Sequence, residues 1–297
     1  MSPLSIHSTH RHVRYATYAS MAVATTLIAL KTYAWVSTHS LSVQATLADS
    51  LLDWVASFFN LIAVRQAQRP ADIEHRFGHG KIEAISGLGQ SLFISGSAAW
   101  LLFEALHRFA HPQTVEATGI GVGIMAISIA LTTALLVYQR YVIKHSQSTA
   151  ILADSTHYLS DLLINIGVII VLASHGLTPF WFDPLVGILI AVYILHTAYE
   201  IANQSFHILI DRELSDEKRA RILEIALAHP QVLGYHDLRT RSAGSQTFIQ
   251  IHLELDGEMS LKRAHIIALE VVRELHAAFP GAEILIHQDA QGEPDEH

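Results

Sequence analysis

The chain has 297 residues, 51% of them apolar and only 15% charged, and its mean hydropathy is +0.32. A charged fraction so far below the roughly 25% usual in soluble domains excludes disorder and an ordinary soluble enzyme. The absence of cysteine excludes disulfide scaffolds, thiolate metal sites and cysteine nucleophiles, and a net charge of −8 gives no basis for binding nucleic acid.

Charge divides the chain. Residues 1–210 carry 10 Lys/Arg against 11 Asp/Glu, and residues 211–297 carry 9 against 16. The first part reads as membrane-embedded and the second as a soluble, acidic domain. The 20 histidines outnumber Lys and Arg together. In a membrane protein without thiols they point to imidazole and carboxylate metal chemistry, or to proton handling.

In chain order, a tail over 1–13 leads into a membrane domain over 14–209. Its six apolar stretches, near 14–36, 41–65, 83–107, 118–141, 150–173 and 182–208, each reach the length of about 20 residues that a bilayer requires. Arg11 and Arg14 precede the first span. Arg65, Arg69, Arg76 and Lys81 lie between the second and third, and Arg140 and Lys144 between the fourth and fifth. The alternate loops are nearly bare, so both termini and the acidic domain are predicted to be cytoplasmic. Lys31 falls near the outer end of span one, where a lysine can snorkel.

Span two carries two charges, Asp49 and Asp53, four residues apart and hence on one helical face. Between spans two and three, Asp72, His75 and His79 are spaced three and four apart. In a helical turn they would share a face and could hold one metal, and solvated loop histidines fit the spacing equally well. Span five carries His157 and Asp161, again four apart, with Asp154 a turn earlier. Asp154 is expected to reach interfacial water and to act as polar glue.

A charge at mid-bilayer costs about 2.5–3.5 kcal/mol even on lenient scales. Asp49, Asp53 and Asp161 therefore need neutralising by a divalent cation, by protons, or by each in turn; the alternative is polar glue between helices, a role for which Asp is a poor choice. Three Asp and one His can surround a metal with three oxygens and one nitrogen. Emptied of its dication, such a site gathers like charges in low dielectric and favours proton uptake, His157 being the natural acceptor. Competition of metal and proton for one site is the requirement for antiport.

The soluble part, 210–290, reads as α-β-β-α-β: a helix near 215–228, strands near 234–241 and 247–256, a helix near 260–278 and a strand near 282–288, with a tail over 291–297. Ser242-Ala-Gly244-Ser is a hairpin signal. In the second strand Ile249, Ile251, Leu253 and Leu255 alternate with Gln250, His252 and Glu254, so His252 faces away from the apolar side. His287 and Asp289 share a side; His236 opens the first strand and His265 lies on the second helix. The pattern alone fits five solvated residues on an open face as well as it fits a metal cluster.

Several motifs carry a resemblance. Ala48-Asp49-x-x-x-Asp53, His157-x-x-x-Asp161, the loop Asp72-Ile-Glu-His75-Arg-Phe-Gly-His79-Gly-Lys81-Ile-Glu83 and Leu209-Ile-Asp211-Arg-Glu resemble the cation diffusion facilitators. So do Val232-x-Gly-x-His236-Asp237-Leu-Arg239-Thr-Arg241, Phe248-Ile-Gln-Ile-His252 and Ile286-His287-Gln-Asp289, in the same order along residues 12 to 290. The resemblance implies an α-helical membrane protein of six transmembrane helices with a cytoplasmic α+β domain, αββαβ and ferredoxin- or metallochaperone-like. It implies a homodimer in the bacterial inner membrane that exports Zn²⁺ from the cytoplasm against protons by alternating access, with Fe²⁺, Cd²⁺ or Mn²⁺ as other cargoes. It makes Asp49, Asp53, His157 and Asp161 the transport site and Asp72, His75 and His79 a second site. It makes His236, His252, His265, His287 and Asp289 a binuclear cytoplasmic site with Asp289 bridging, and pairs Lys81 with Asp211 as an interlock.

Two other function classes compete. An intramembrane metalloenzyme is disfavoured because no His-Glu-x-x-His occurs and four protein ligands leave no open position. A sensor with a passive anchor leaves charges in two different spans unexplained.

Overall fold

The apolar stretches form long helices because a backbone in hydrocarbon must satisfy its hydrogen bonds within the segment. The computed structural model describes residues 6–38, 41–111, 119–146, 148–173, 181–244 and 246–292. It begins with α1 (Ile6–Thr38), α2 (Leu41–Ala67), α3 (Ile82–Ala110), α4 (Gly119–Ser146), α5 (Thr149–Ala173) and α6 (Phe182–Leu209). Helix α1 starts inside the stretch read as an N-terminal tail. Among the described residues, four helical segments, Arg11–Val36, Ile82–Ala110, Met125–Ser146 and Pro184–Leu209, are long and apolar enough to cross a membrane by length and composition. The other two long helices, α2 and α5, are 27 and 25 residues long and hold the aspartates.

This unit, Met1–Phe206, has large apolar side chains outside and small or polar ones within. Leu92, Trp100, Phe103, Val137 and Leu189 are exposed, whereas Ser57, Asn60, Ser91, Thr132, Gln139 and Ser160 are buried. That is the reverse of a soluble bundle and suits helices packed in lipid, where small and hydrogen-bonding residues mediate contact. Ile94 and Ala98 of α3 pack on Ile194 and Ala198 of α6, while Leu135 and Leu136 of α4 pack on Tyr158 of α5.

Two expectations change here. Asp154 does not reach interfacial water: it is 1% exposed. Its carboxylate accepts bonds from Ser20 Oγ at 2.5 Å and Gln139 Nε2 at 2.7 Å, tying α5 to α1 and α4. Nearby, Tyr158 Oη contacts Ser57 Oγ at 3.0 Å and donates to the Ser20 carbonyl at 3.2 Å. Lys31 does not snorkel outward either; its ammonium donates to the buried Ser50 Oγ at 2.6 Å. Both departures have one cause: a polar group in an apolar medium takes a protein partner where the packing offers one.

The second unit, His207–His297, comprises α7 (Asp216–Leu227), β1 (Gly234–Ala243), β2 (Gln246–Leu255), α8 (Leu261–Ala278) and β3 (Glu283–Ala290). The sheet order is β1-β2-β3, with β1 and β2 antiparallel and β2 and β3 parallel. Ile249, Ile251, Leu253 and Leu255 form one face and pack with Ile222 and Ala226 of α7 and Ile267, Val271 and Leu275 of α8. Period two leaves the other face polar and open. Ser260 caps α8, its Oγ accepting from the Arg263 amide. The entry to this unit is pinned by Glu213, which accepts from the backbone and hydroxyl of Thr240.

Candidate metal centres

Asp53 of α2 and His157 and Asp161 of α5 meet between helices. His157 Nε2 lies 3.0 Å from Asp53 Oδ1 and 3.8 Å from Asp161 Oδ2. One ligand atom from each of the three falls within 4.8 Å of the other two. The His157 ring meets Phe93 edge-on at 5.8 Å and Tyr158 at 5.7 Å, which narrows the orientations open to it. A single imidazole nitrogen therefore faces both carboxylates, and it must surrender any proton before it can bind a cation. Asp49 lies one turn before Asp53 on α2, and its side chain is outside the described residues.

The second cluster follows α2. Asp72, His75 and His79 converge, but not through a shared helical face, because this stretch is a run of turns. Asp72 Oδ1 accepts from the amides of His75 at 2.6 Å and Glu74 at 3.0 Å, an Asx turn that folds the chain back. Gly78, at φ 77°, completes the bend. His75 Nδ1 then lies 3.3 Å from Asp72 Oδ1, and His79 Nε2 3.4 Å from Asp72 Oδ2. The His75 amide, above all, holds the Asp72 carboxyl below its ordinary range, so an oxygen donor is ready for a cation at neutral pH.

The third cluster is made by strand register. His236 pairs with His252, and His252 with His287, so three histidines stand in a row across β1, β2 and β3. Asp289, two residues beyond His287, lies beneath the row. Its Oδ2 is 2.8 Å from His252 Nδ1 and 3.3 Å from His236 Nε2, and its Oδ1 is 3.1 Å from His287 Nε2. The register shifts after His236, with Asp237 at φ 45°, and pairing of β1 with β2 resumes at Arg239 opposite Gln250.

His265 does not join them within one chain. It is exposed on α8, whose buried Ala264 and Ile267 pack on the opposite, apolar face of the sheet. Glu254 is a neighbour that the sequence reading passed over: its Oε1 lies 3.2 Å from His236 Nδ1. Its parity with His252 on β2 was the available signal. Gly234, opposite Glu254, leaves room for that carboxylate, since a Cβ there would lie 2.5 Å from Glu254 Oε2. Of the expected interlock, Lys81 precedes α3 in the first unit. Asp211, in the second unit, accepts from Arg241 at 3.2 Å.

Comparison with known proteins covers nearly the whole chain. Residues 17–210 match the cation efflux transmembrane domain, and residues 205–291 the cytoplasmic domain of cation efflux proteins. The cation-efflux pump FieF of Shewanella oneidensis is 46% identical over 283 residues, 95% of this chain and 96% of the pump. That of Klebsiella pneumoniae is 42% identical over 279 residues, covering 94% of this chain and 93% of its own. A solved CzrB chain in its zinc form is 34% identical, covers 29% of this chain and 99% of itself, and has a TM-score of 0.27.

Proposed function

The chain belongs to the cation efflux family, and is thus a membrane transporter of metal cations rather than an enzyme; on that premise we propose that it exchanges cytoplasmic Zn²⁺ for protons through Asp49, Asp53, His157 and Asp161. The observation that carries the reading is the approach of Asp53, His157 and Asp161 to within ligand distance across α2 and α5. Nitrogen and oxygen donors in a tetrahedral set suit Zn²⁺, and they accept Fe²⁺ and Cd²⁺ as well.

Exchange follows from the shared nitrogen. His157 Nε2 hydrogen-bonds Asp53 Oδ1 at 3.0 Å, and an arriving dication displaces that hydrogen, which leaves as a proton. When the cation leaves, the carboxylates stand near one another at high cost unless a proton returns. Alternating access then presents the site to the cytoplasm in one charge state and to the far side in the other. The six helices span the bacterial inner membrane, with both termini cytoplasmic, consistent with the basic loops noted above.

Asp72, His75 and His79 hold a second cation near the membrane. His236, His252, His287 and Asp289 hold resident Zn²⁺ in the cytoplasmic unit, where Asp289 can bridge two ions because its two oxygens face different histidines. His265 is supplied to that site by the other protomer of a homodimer. Lys81 and Asp211 lock the dimer. Cation occupancy of the cytoplasmic cluster is coupled to transport.

The test is zinc flux in proteoliposomes under an imposed proton gradient. Wild type concentrates zinc, Asp53→Ala does not, and collapsing the gradient with an ionophore stops uptake. Flux that survives Asp53→Ala, or that ignores the gradient, refutes the assignment. Coupling is read separately: His236→Ala with Asp289→Ala should weaken zinc activation of transport.

A further inference from the structure

We propose that the joined ends of α1, α2 and α4 form a docking site for the headgroups of anionic phospholipids. The three ends meet in one apolar cluster, where Val13 and Ala16 of α1 pack with Val64 of α2, Val142 of α4 and Ala150 and Ile151 at the start of α5. Around that cluster stand five exposed cations: Arg11 and Arg14 on α1, Arg65 on α2, and Arg140 and Lys144 on α4. Neither α1 nor α4 contains a single Asp or Glu, and the two on α2 lie three turns or more from Arg65.

Tyrosines interleave with the cations and hold two of them, Arg11 and Arg65. Arg65 donates to Tyr18 Oη at 2.7 Å and lies over its ring at 5.4 Å, joining α2 to α1. Arg11 lies over the ring of Tyr15 at 5.9 Å. His12 meets Tyr141 edge-on at 5.9 Å, joining α1 to α4. These contacts reduce the freedom the cations would lose on binding an anion.

The depth also fits. The apolar window of α1 starts at Arg11 and runs 26 residues, roughly 39 Å of helix against a hydrocarbon layer of about 30 Å. Arg11, Arg14 and Tyr15 then stand at headgroup level, where cations and phenols bind lipid phosphate. A flexible solvated surface would leave these cations dispersed; here they are gathered over one packed cluster, and the acids of the adjoining elements, Glu83 and Asp154, are buried and engaged by Ser148 and by Ser20 and Gln139.

The experiment is native mass spectrometry of the full chain in detergent with equal phosphatidylglycerol and phosphatidylcholine. Wild type retains phosphatidylglycerol preferentially. Arg14→Gln with Arg140→Gln and Lys144→Gln, all exposed and outside every metal cluster, weakens it by roughly fivefold per cation, on the order of 100-fold in all. Bound zinc stays the same in that variant. Should it fail to fold, the three Lys or Arg exchanges at these positions keep charge and must keep the preference, and salt must reduce it in wild type. Equal retention of both lipids, or a preference that survives loss of the three cations, overturns the proposal. So does displacement of the lipid by millimolar inorganic phosphate, which would mark a soluble-anion site.

Discussion

Replacing Asp53 with Asn tests the transport site without changing its shape. Asp53 lies 3.0 Å from His157 and its side chain is 20% exposed, so solvent screens it only in part. Removing one partner of a buried charge pair costs about 3–5 kcal/mol, and the partial exposure of Asp53 favours the lower end. A loss of about 3 kcal/mol corresponds to roughly 100-fold weaker binding. Competition between protein and a fluorescent chelator for Zn²⁺ measures this, in a background where Asp72→Ala and Asp289→Ala silence the other clusters. The lost zinc flux should accompany the lost affinity. Affinity within threefold of the background protein would refute the electrostatic reasoning and place the cation elsewhere.

Three further outcomes are expected. A Cβ at Gly87 would sit 2.6 Å from Ser205 Oγ, so Gly87→Ala should cost about 1–3 kcal/mol. Adding Ser205→Ala should recover most of it, and thermal melts showing no rescue would discard the clash. Asp154→Ala removes a buried acceptor from Ser20 and Gln139, which keep bonds to the Ala16 carbonyl and to Ser20 Oγ respectively, and should lower stability by about 1–3 kcal/mol, read as a fall in melting temperature in detergent; an unchanged melt would mean water replaces the carboxylate. Glu270 is held below its ordinary pKa, first by its bond from His229 at 2.9 Å. A depressed carboxyl stabilises the fold above its unfolded value and loses that contribution as pH falls through the folded one. The cytoplasmic unit should therefore lose more stability below about pH 4.5 than its Glu270→Gln variant, and parallel melting curves against pH would remove the pair from the account.

The candidate sites differ in how far a linear reading reaches them. Asp53, His157 and Asp161 were legible because helical period and membrane depth are both properties of a local stretch, and a buried charge there has few explanations. The loop was legible in its residues but not in its geometry: spacing suggested a helical face, whereas an Asx turn and Gly78 bring Asp72, His75 and His79 together. On the open sheet, alternation put His252 and His287 on the polar side, yet nothing local could set them beside His236. That needed the register of β1 on β2 and of β2 on β3. The same holds for Glu254, whose approach to His236 depends on Gly234 opposite.

Asp154 and Lys31 make the division plain. Hydropathy placed both near a membrane edge, so that Lys31 was expected to snorkel and Asp154 to reach water besides acting as glue, because it weighs a residue by its position along one helix. Packing gave Asp154 the donors of α1 and α4, and gave Lys31 the hydroxyl of Ser50. From the chain alone came the helices, their order, the acidic αββαβ unit and the identity of the ionisable groups, since periodicity and composition act over a few turns. Which groups face one another was decided only by tertiary structure, because helix rotation and strand register are set by contacts between segments far apart in the chain.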